Sequence, residues 1–548
     1  MRSLINFFCS LTLAVLLVSA CHGATITGTV KDPEGSPFRA AFVEAQNAKT
    51  RINVIVLSDS KGNYRIDNLA AGEYRLQIRA VGYRAEPRPG VNLTASQNAT
   101  FDFALQKGTI RWSDVTFDQA MRLWPADKGK DILNVDCSAC HLFQTRIAST
   151  IRDKEGWRDR IEYMREAMHY ALGRRFTDQK ADDLASYLAT LFGPDSVLPK
   201  SPADMPGYKE TVRPTSNMAT NIVFVEYEMP GPNRMPFSAA PDKNGNIWIP
   251  NFGAANKITR LDPETGKMQD FPVPHVGTAG IHSAIPAADG SVWFTEQGAN
   301  KLGRWDPQTE KITEFQDRRE KDRQEKDGPG KEAPGDAEGE GGSKHTVRVD
   351  ANGYAWASGS PLTRLDPKTG KYTYFDEVPT AYDVKTAPNG DVWFSTFAGG
   401  KIGKVDGKTL KVTQWNAPTP KGAPRRMVFG SDGTVWVGES RGGKMARFDP
   451  ETETFKEYTL PGHDPSPYSM GFDAKGYLWY NSFHQDTLDR FDINTGEVIE
   501  FPVPHSEISM RELFLDSKGR MWYGSPSNNK VGYFYLTGQP GVTTSASK

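Results

Sequence analysis

The chain has 548 residues, with 66 basic and 67 acidic side chains and a formal charge of −1. That balance, with Lys and Arg spread along the chain, argues against a nucleic-acid footprint. Four cysteines in this length rule out a disulfide framework, so stability must come from buried area, and the chain is long enough for several cores.

At the N-terminus, Arg2 precedes an apolar run from Leu4 to Ala20, and small residues follow at Gly23 and Ala24. A charged start, an apolar stretch and a small-residue processing site predict a secretory signal over 1–24, and hence an exported, periplasmic protein. Val18-Ser19-Ala20-Cys21 also resembles a bacterial lipobox, which would lipidate Cys21 and anchor the chain to a membrane; cleavage after Ala24 is the alternative.

Residues 25–108 read as short strands. Ile26, Gly28 and Val30 open one, Asp32-Pro33-Glu34-Gly35 turns it, and Tyr74, Leu76 and Ile78 alternate with polar residues as a half-buried strand does. With Gly72-Glu73-Tyr74 and Gly82-Tyr83, the pattern resembles carboxypeptidase regulatory-like domains, which implies a small β-sandwich with a structural role.

Residues 110–199 read as helical. Leu184, Tyr187, Leu188 and Leu191 fall at i, i+3, i+4 and i+7 before a stop at Gly193-Pro194. Between helix signals lies Cys137-Ser138-Ala139-Cys140-His141, the C-x-x-C-H pattern of covalent haem attachment, in which two thiols take the vinyl groups and the imidazole takes the iron. A zinc site would need two further matched ligands. The segment resembles a small class I cytochrome c, and the expectation is a haem c held by Cys137, Cys140 and His141. Met164 is the favoured second iron ligand, with Met168 and His169 as alternatives.

Residues 221–537 are a repeat array. Asn244-Gly245-Asn246-Ile247-Trp248 returns at Trp293, Trp356, Trp393, Trp436, Trp479 and Trp522, in steps of 45, 63, 37, 43, 43 and 43 residues. A period near 43 with four short strands per unit predicts a seven-bladed β-propeller. The strand at 221–228 precedes the first repeat while the last blade lacks a fourth strand, so that strand is expected to close the ring. The long step holds a charged, apolar-poor segment, 317–344, expected to be disordered. The predicted fold class is therefore multidomain and mainly β: N-terminal β-sandwich, small all-α cytochrome c domain, seven-bladed propeller.

The residue eleven before each tryptophan is expected at the channel mouth: Phe237, His282, His345, Tyr382, Arg425, Tyr468 and Arg511. The residue three after it is expected near the same face: Asn251, Glu296, Gly359, Thr396, Glu439, Ser482 and Ser525. The repeats resemble the streptogramin B lyase (virginiamycin B lyase) family, whose units have the form D-G-x-[IV]-W-F-x-E. That resemblance implies elimination at an ester of a cyclic depsipeptide by a histidine base, a glutamate and Mg2+. His282 and Glu296 reproduce the family's fourteen-residue His–Glu spacing, but Phe237 stands where the accompanying histidine belongs. The nearest second histidine is His345, with Gly359 in place of a glutamate.

The leading functional expectation is an exported c-type haem protein in electron transfer. A donor or acceptor protein would be its partner, and the propeller would bind a substrate or partner. The alternatives are a lyase-like carbon–oxygen lyase using His282, Glu296 and His345 on a small molecule in the channel, and a non-catalytic scaffold presenting a cytochrome.

Overall fold

The computed structural model describes residues 23–168, 172, 176–317 and 344–537. The expected signal segment with Cys21, His169 and nearly all of the charged insertion lie outside the described residues.

Six blades are four-stranded antiparallel sheets of their own, and the seventh is part of a larger sheet. In each, the second strand carries one of the repeat tryptophans, and all seven are buried. The preceding turn needs a left-handed residue, and its glycine sits at φ between +75° and +92° in every blade (Gly245 to Gly519). In four blades an aspartate six residues before the tryptophan accepts the indole N–H: Asp242, Asp350, Asp473 and Asp516, at 2.8–3.0 Å. This satisfies a buried donor and ties the turn to the core at once. Blades two, four and five have Ala287, Ala387 and Gly430 at that position and no such bond is recorded there.

The seventh blade is completed by the strand Ile222–Glu228, which runs antiparallel to Lys530–Leu536 through seven residue pairs from Ile222↔Leu536 to Glu228↔Lys530. The opposite edge of this strand pairs with Asn53–Leu57 of the N-terminal β region, Phe224 facing Ile55. One eight-stranded sheet therefore runs from the propeller channel through blade seven into the sandwich. The sandwich core packs Ile26, Val30, Val43, Val56, Tyr64, Ile66 and Leu76, and it also takes in Val223 from the shared strand. Polar groups reinforce the seam. Buried Glu226 binds His505 at 2.6 Å and Lys530 at 3.1 Å. Burial raises its pKa, but the contacts with His505 and Lys530 outweigh burial and hold it at about 2.

The expected all-α cytochrome c domain is corrected. Among the described residues the α-helices are Phe117–Leu123, Lys128–Ile132, Lys154–Ala167, Asp178–Phe192 and Tyr208–Thr211, a short helical layer in a mainly β protein. Its interior is filled by the chain's own rings: Trp124 meets Phe143 at 4.8 Å and Phe192 at 5.6 Å, with Trp157, Leu184 and Leu188 in the same cluster. Tyr468 and Phe483 of the propeller complete that cluster. The haem ligand set does not fit this arrangement. The Cys137 thiol is packed against the helical core, and burial with the neighbouring Asp136 pushes its pKa up to about 12. His141 lies in the loop that docks on the propeller, with its Nδ1 against the Leu142 carbonyl at 2.7 Å. Met164 sits half-buried on Lys154–Ala167, whose buried face is Trp157 and Ile161 instead. Covalent haem c and the electron-transfer role built on it are withdrawn with the domain.

Because Val225 lies between Tyr533 on one side and Val54 on the other, Val225→Pro should strike both modules. A proline inside a two-sided strand removes a ladder hydrogen bond and leaves a buried partner unpaired at about 1–3 kcal/mol, which for a fold of this size lowers the Tm by roughly 1–3 °C. An unchanged melting curve by circular dichroism would show that ring closure does not depend on this strand.

Candidate functional site

The innermost strand of each blade lines the channel, and the residue at or just before its start reaches the mouth. The seven residues so placed form a closed ring. Phe237 lies 4.8 Å from His282, His282 lies 3.9 Å from His345, and His345 lies 4.5 Å from Tyr382, all between ring centroids. Arg425 Nε donates to the Tyr382 hydroxyl at 2.9 Å, and its guanidinium stacks 3.4 Å from the centre of Tyr468. Arg511 then bridges Tyr468 at 4.9 Å and Phe237 at 5.2 Å. Below the ring the channel holds charges from four blades. Asp383 binds Arg426 at 2.8 Å, Glu512 is paired with Arg348, and Lys385 stands 3.7 Å from Glu512. Burial works against the Glu512 anion, yet Arg348, Arg426 and Lys385 hold its pKa at about 2.

The helical layer sits directly on this mouth. Arg425 donates to the Ala139 carbonyl at 2.6 Å and Arg511 donates to that of Cys140. Buried Glu507 accepts from the Leu142 and Thr145 amides at 3.1 and 2.9 Å and from the Thr145 hydroxyl at 2.7 Å. Beside that cover, a recess of about 230 Å³ opens between the layers, lined among others by Ser138, Phe397, Arg425, Ser440, Arg441 and His484.

His282 and His345 are thus brought together, but Glu296 is not with them. Glu296 faces Ile281 across the sheet, and the register shifts between Ile281 and Ala284. Adjacent strand residues point to opposite faces, so Glu296 shares the side of Ile281 and His282 turns to the mouth. The glutamate meets Glu314 and Lys301 instead, so no His–Glu–Mg2+ constellation forms at the mouth, and the expected Mg2+ is withdrawn there. Its neighbours in the other blades do the same: Asn251 bonds Thr259, Glu439 meets Thr419, and Ser482 bonds Asp489. Sequence reasoning placed Tyr468, Arg425 and Arg511 at the mouth without giving them a chemical role. The consecutive pair Arg425-Arg426 on an inner strand, aimed at two tyrosines, was the available signal.

The electrostatics divide the ring. Burial lowers the pKa of His282 well below the usual imidazole range, with help from His345 and the arginines, and its Nδ1 has no hydrogen-bond partner. His345 is lowered to about 3 by burial and Arg426, while its Nδ1 is held by the Tyr382 carbonyl at 2.7 Å. Both imidazoles are neutral. Tyr468 behaves oppositely: burial raises its pKa, but Arg425, Arg511 and Arg426 outweigh burial and lower it, and the Tyr382 hydroxyl donates to its oxygen at 2.5 Å. The mouth therefore holds one phenol drawn toward its anion beneath two guanidinium groups.

Two families match the sequence. The Virginiamycin B lyase family matches residues 361–544, and the Carboxypeptidase regulatory-like domain matches residues 25–106. Neither reaches residues 110–199. No curated protein matches. Among solved structures, a streptogramin B lyase is 22% identical, aligned over 59% of this chain and 100% of its own, with a TM-score of 0.50. That likeness carries the propeller fold. Virginiamycin B lyase from Staphylococcus aureus is 21% identical over 57% of this chain and 99% of its own, at a TM-score of 0.49. A catalytically inactive variant of that enzyme with quinupristin gives 20%, 57% and 99% at 0.47.

The lowered imidazole pKa values contribute to the acid side of the stability curve. For His345 the folded pKa is about 3 against 6.5 for the free side chain, so below pH 6.5 the unfolded state binds the extra proton. Stability is full above 6.5 and falls by about 1.4 kcal/mol per pH unit as the pH drops toward 3. His345→Gln should flatten the fall in Tm over that window; curves that stay parallel to the parent's would contradict the assignment.

Proposed function

We propose that the propeller mouth is the site of a lyase-like enzyme that cleaves a carbon–oxygen bond by elimination. The observation that carries the reading is Tyr468 under Arg425 and Arg511, hydrogen-bonded by Tyr382. A general base works best when its pKa lies near the working pH. That favours Tyr468 over His282, whose imidazole is too weakly basic in this setting.

In the proposed step the Tyr468 oxygen takes the proton from the carbon α to a substrate carbonyl. The C–H electron pair becomes the new C=C bond, and the C–O bond at the β-carbon breaks with its pair leaving on oxygen as a carboxylate. Arg425 and Arg511 stabilise the negative charge that develops on the carbonyl oxygen, as oriented donors in a dry site do. His282 and His345 pack against this charge without carrying one of their own. The substrate class is a β-acyloxy carbonyl compound, as a carboxylate leaving group requires; the recess of about 230 Å³ beside Arg425 does not reach Tyr468. Entry to Tyr468 requires the loop at 137–145 to lift from Arg425, Arg511 and Glu507. The matched family and the shared propeller fold support this reading.

The test is a panel of β-acyloxy carbonyl compounds, followed by the ultraviolet band of the conjugated alkene. Tyr468→Phe should lower kcat by about 100-fold or more while leaving the Tm in place, and His282→Gln should cost less. Full turnover in Tyr468→Phe, or no turnover of any ester by the parent, would overturn the reading.

A further inference from the structure

Blade two carries a second cluster, on the face opposite the mouth ring's His282. His275, Glu296 and Glu314 place one imidazole nitrogen and two carboxylate oxygens within 4.8 Å of one another. They come from three elements: the loop after the first blade, the end of Val292–Glu296, and Ile312–Gln316. Glu296 is fully buried, and neither of its carboxylate oxygens meets an N–H or hydroxyl donor; its side-chain partner is a second carboxylate, Glu314. Two carboxylates facing each other at a buried position are costly unless a proton or a cation lies between them.

The repeat provides its own control. Blade five has the same pair of glutamates, Glu439 and Glu457, and the same lysine, Lys444. There Thr419 joins the two carboxylates: its hydroxyl donates to Glu457 at 2.5 Å and its amide to Glu439 at 3.4 Å. In blade two no threonine stands in that place; the loop instead presents His275. Asn256 fixes that loop by accepting from the Ala279 amide at 2.8 Å and donating to the His275 carbonyl at 3.2 Å. The imidazole is thus held where blade five keeps a hydrogen-bond donor.

We infer that His275, Glu296 and Glu314 form a site for a divalent transition ion of the zinc class. Nitrogen with carboxylate oxygen suits zinc, whose sites of this kind use three protein ligands and leave a position for water. Bonds of 2.0–2.2 Å need the donors to close by ~1 Å. Lys301, which donates to Glu314 at 3.0 Å, is the competing cation and must give up one oxygen when the ion enters. The inference is independent of the chemistry proposed at the mouth.

The full chain, stripped with a chelator, is titrated with ZnCl2 and MgCl2 by calorimetry and by thermal shift. One equivalent of Zn2+ should bind and raise the Tm, with Mg2+ much weaker. Glu296→Gln and His275→Ala should each weaken Zn2+ by at least about 10-fold, the loss seen even for residues one layer behind a metal's ligands. Glu439→Gln in blade five and a Cys137→Ser/Cys140→Ser double variant should keep the binding. Because Glu296→Gln removes one of two neighbouring carboxylates, its metal-free Tm should not fall, which separates lost binding from lost folding. Zn2+ binding that persists in Glu296→Gln, vanishes with the two cysteines, or is absent from the parent would overturn the site.

Discussion

The strand Ile222–Glu228 is the constraint on which the rest of the architecture hangs. A propeller is a ring of sheets, and the last blade would otherwise expose an unpaired edge on Lys530–Leu536. This strand fills that edge and then offers its own second edge to the sandwich. Two modules distant in sequence thus share one hydrogen-bonded sheet, and Glu226 at its centre ties His505, Lys530 and Tyr523 to the same strand. The ring holds its circumference because its first and last strands are neighbours. The mouth residues keep their spacing because the ring does.

That spacing decides the electrostatics. Seven side chains from seven blades meet only at the mouth, so cations from blades five and seven can act on a phenol from blade six. The charges below belong to the same logic. Asp383 and Glu512 pair with Arg348, Lys385 and Arg426 within the channel, where each alone would be too costly to bury. The helical layer adds the lid, and it does so with backbone carbonyls that accept from Arg425 and Arg511.

The propeller was legible because its signature is local. A left-handed glycine, a buried tryptophan and a fixed offset to the inner strand repeat within each blade, and that offset assembles the mouth ring residue by residue. Glu296 was not legible, because the bulge between Ile281 and Ala284 and the alternation of strand faces send it away from His282. The union of sandwich and seventh blade leaves no local trace either, since Phe224 and Ile55 meet across a long stretch of chain. The helical segment failed for a different reason. Cys137 to His141 specify a local chemistry, but they do not say that Trp124, Phe143, Phe192 and the propeller's Tyr468 fill the space beside them. A five-residue motif says little about what a core of 23 buried side chains contains.

The junction around residues 317 and 344 is closed by a buried ion pair between Asp317 and Lys344, and Tyr374 donates to the same carboxylate at 2.7 Å. The two ends of the intervening segment are therefore pinned side by side by blade three itself. The contact that joins the two ends lies among the described residues that bracket the segment. Blade three thus offers a natural splice point, where a tag, a reporter or an unrelated domain could replace the native segment while the rest of the circle keeps its form.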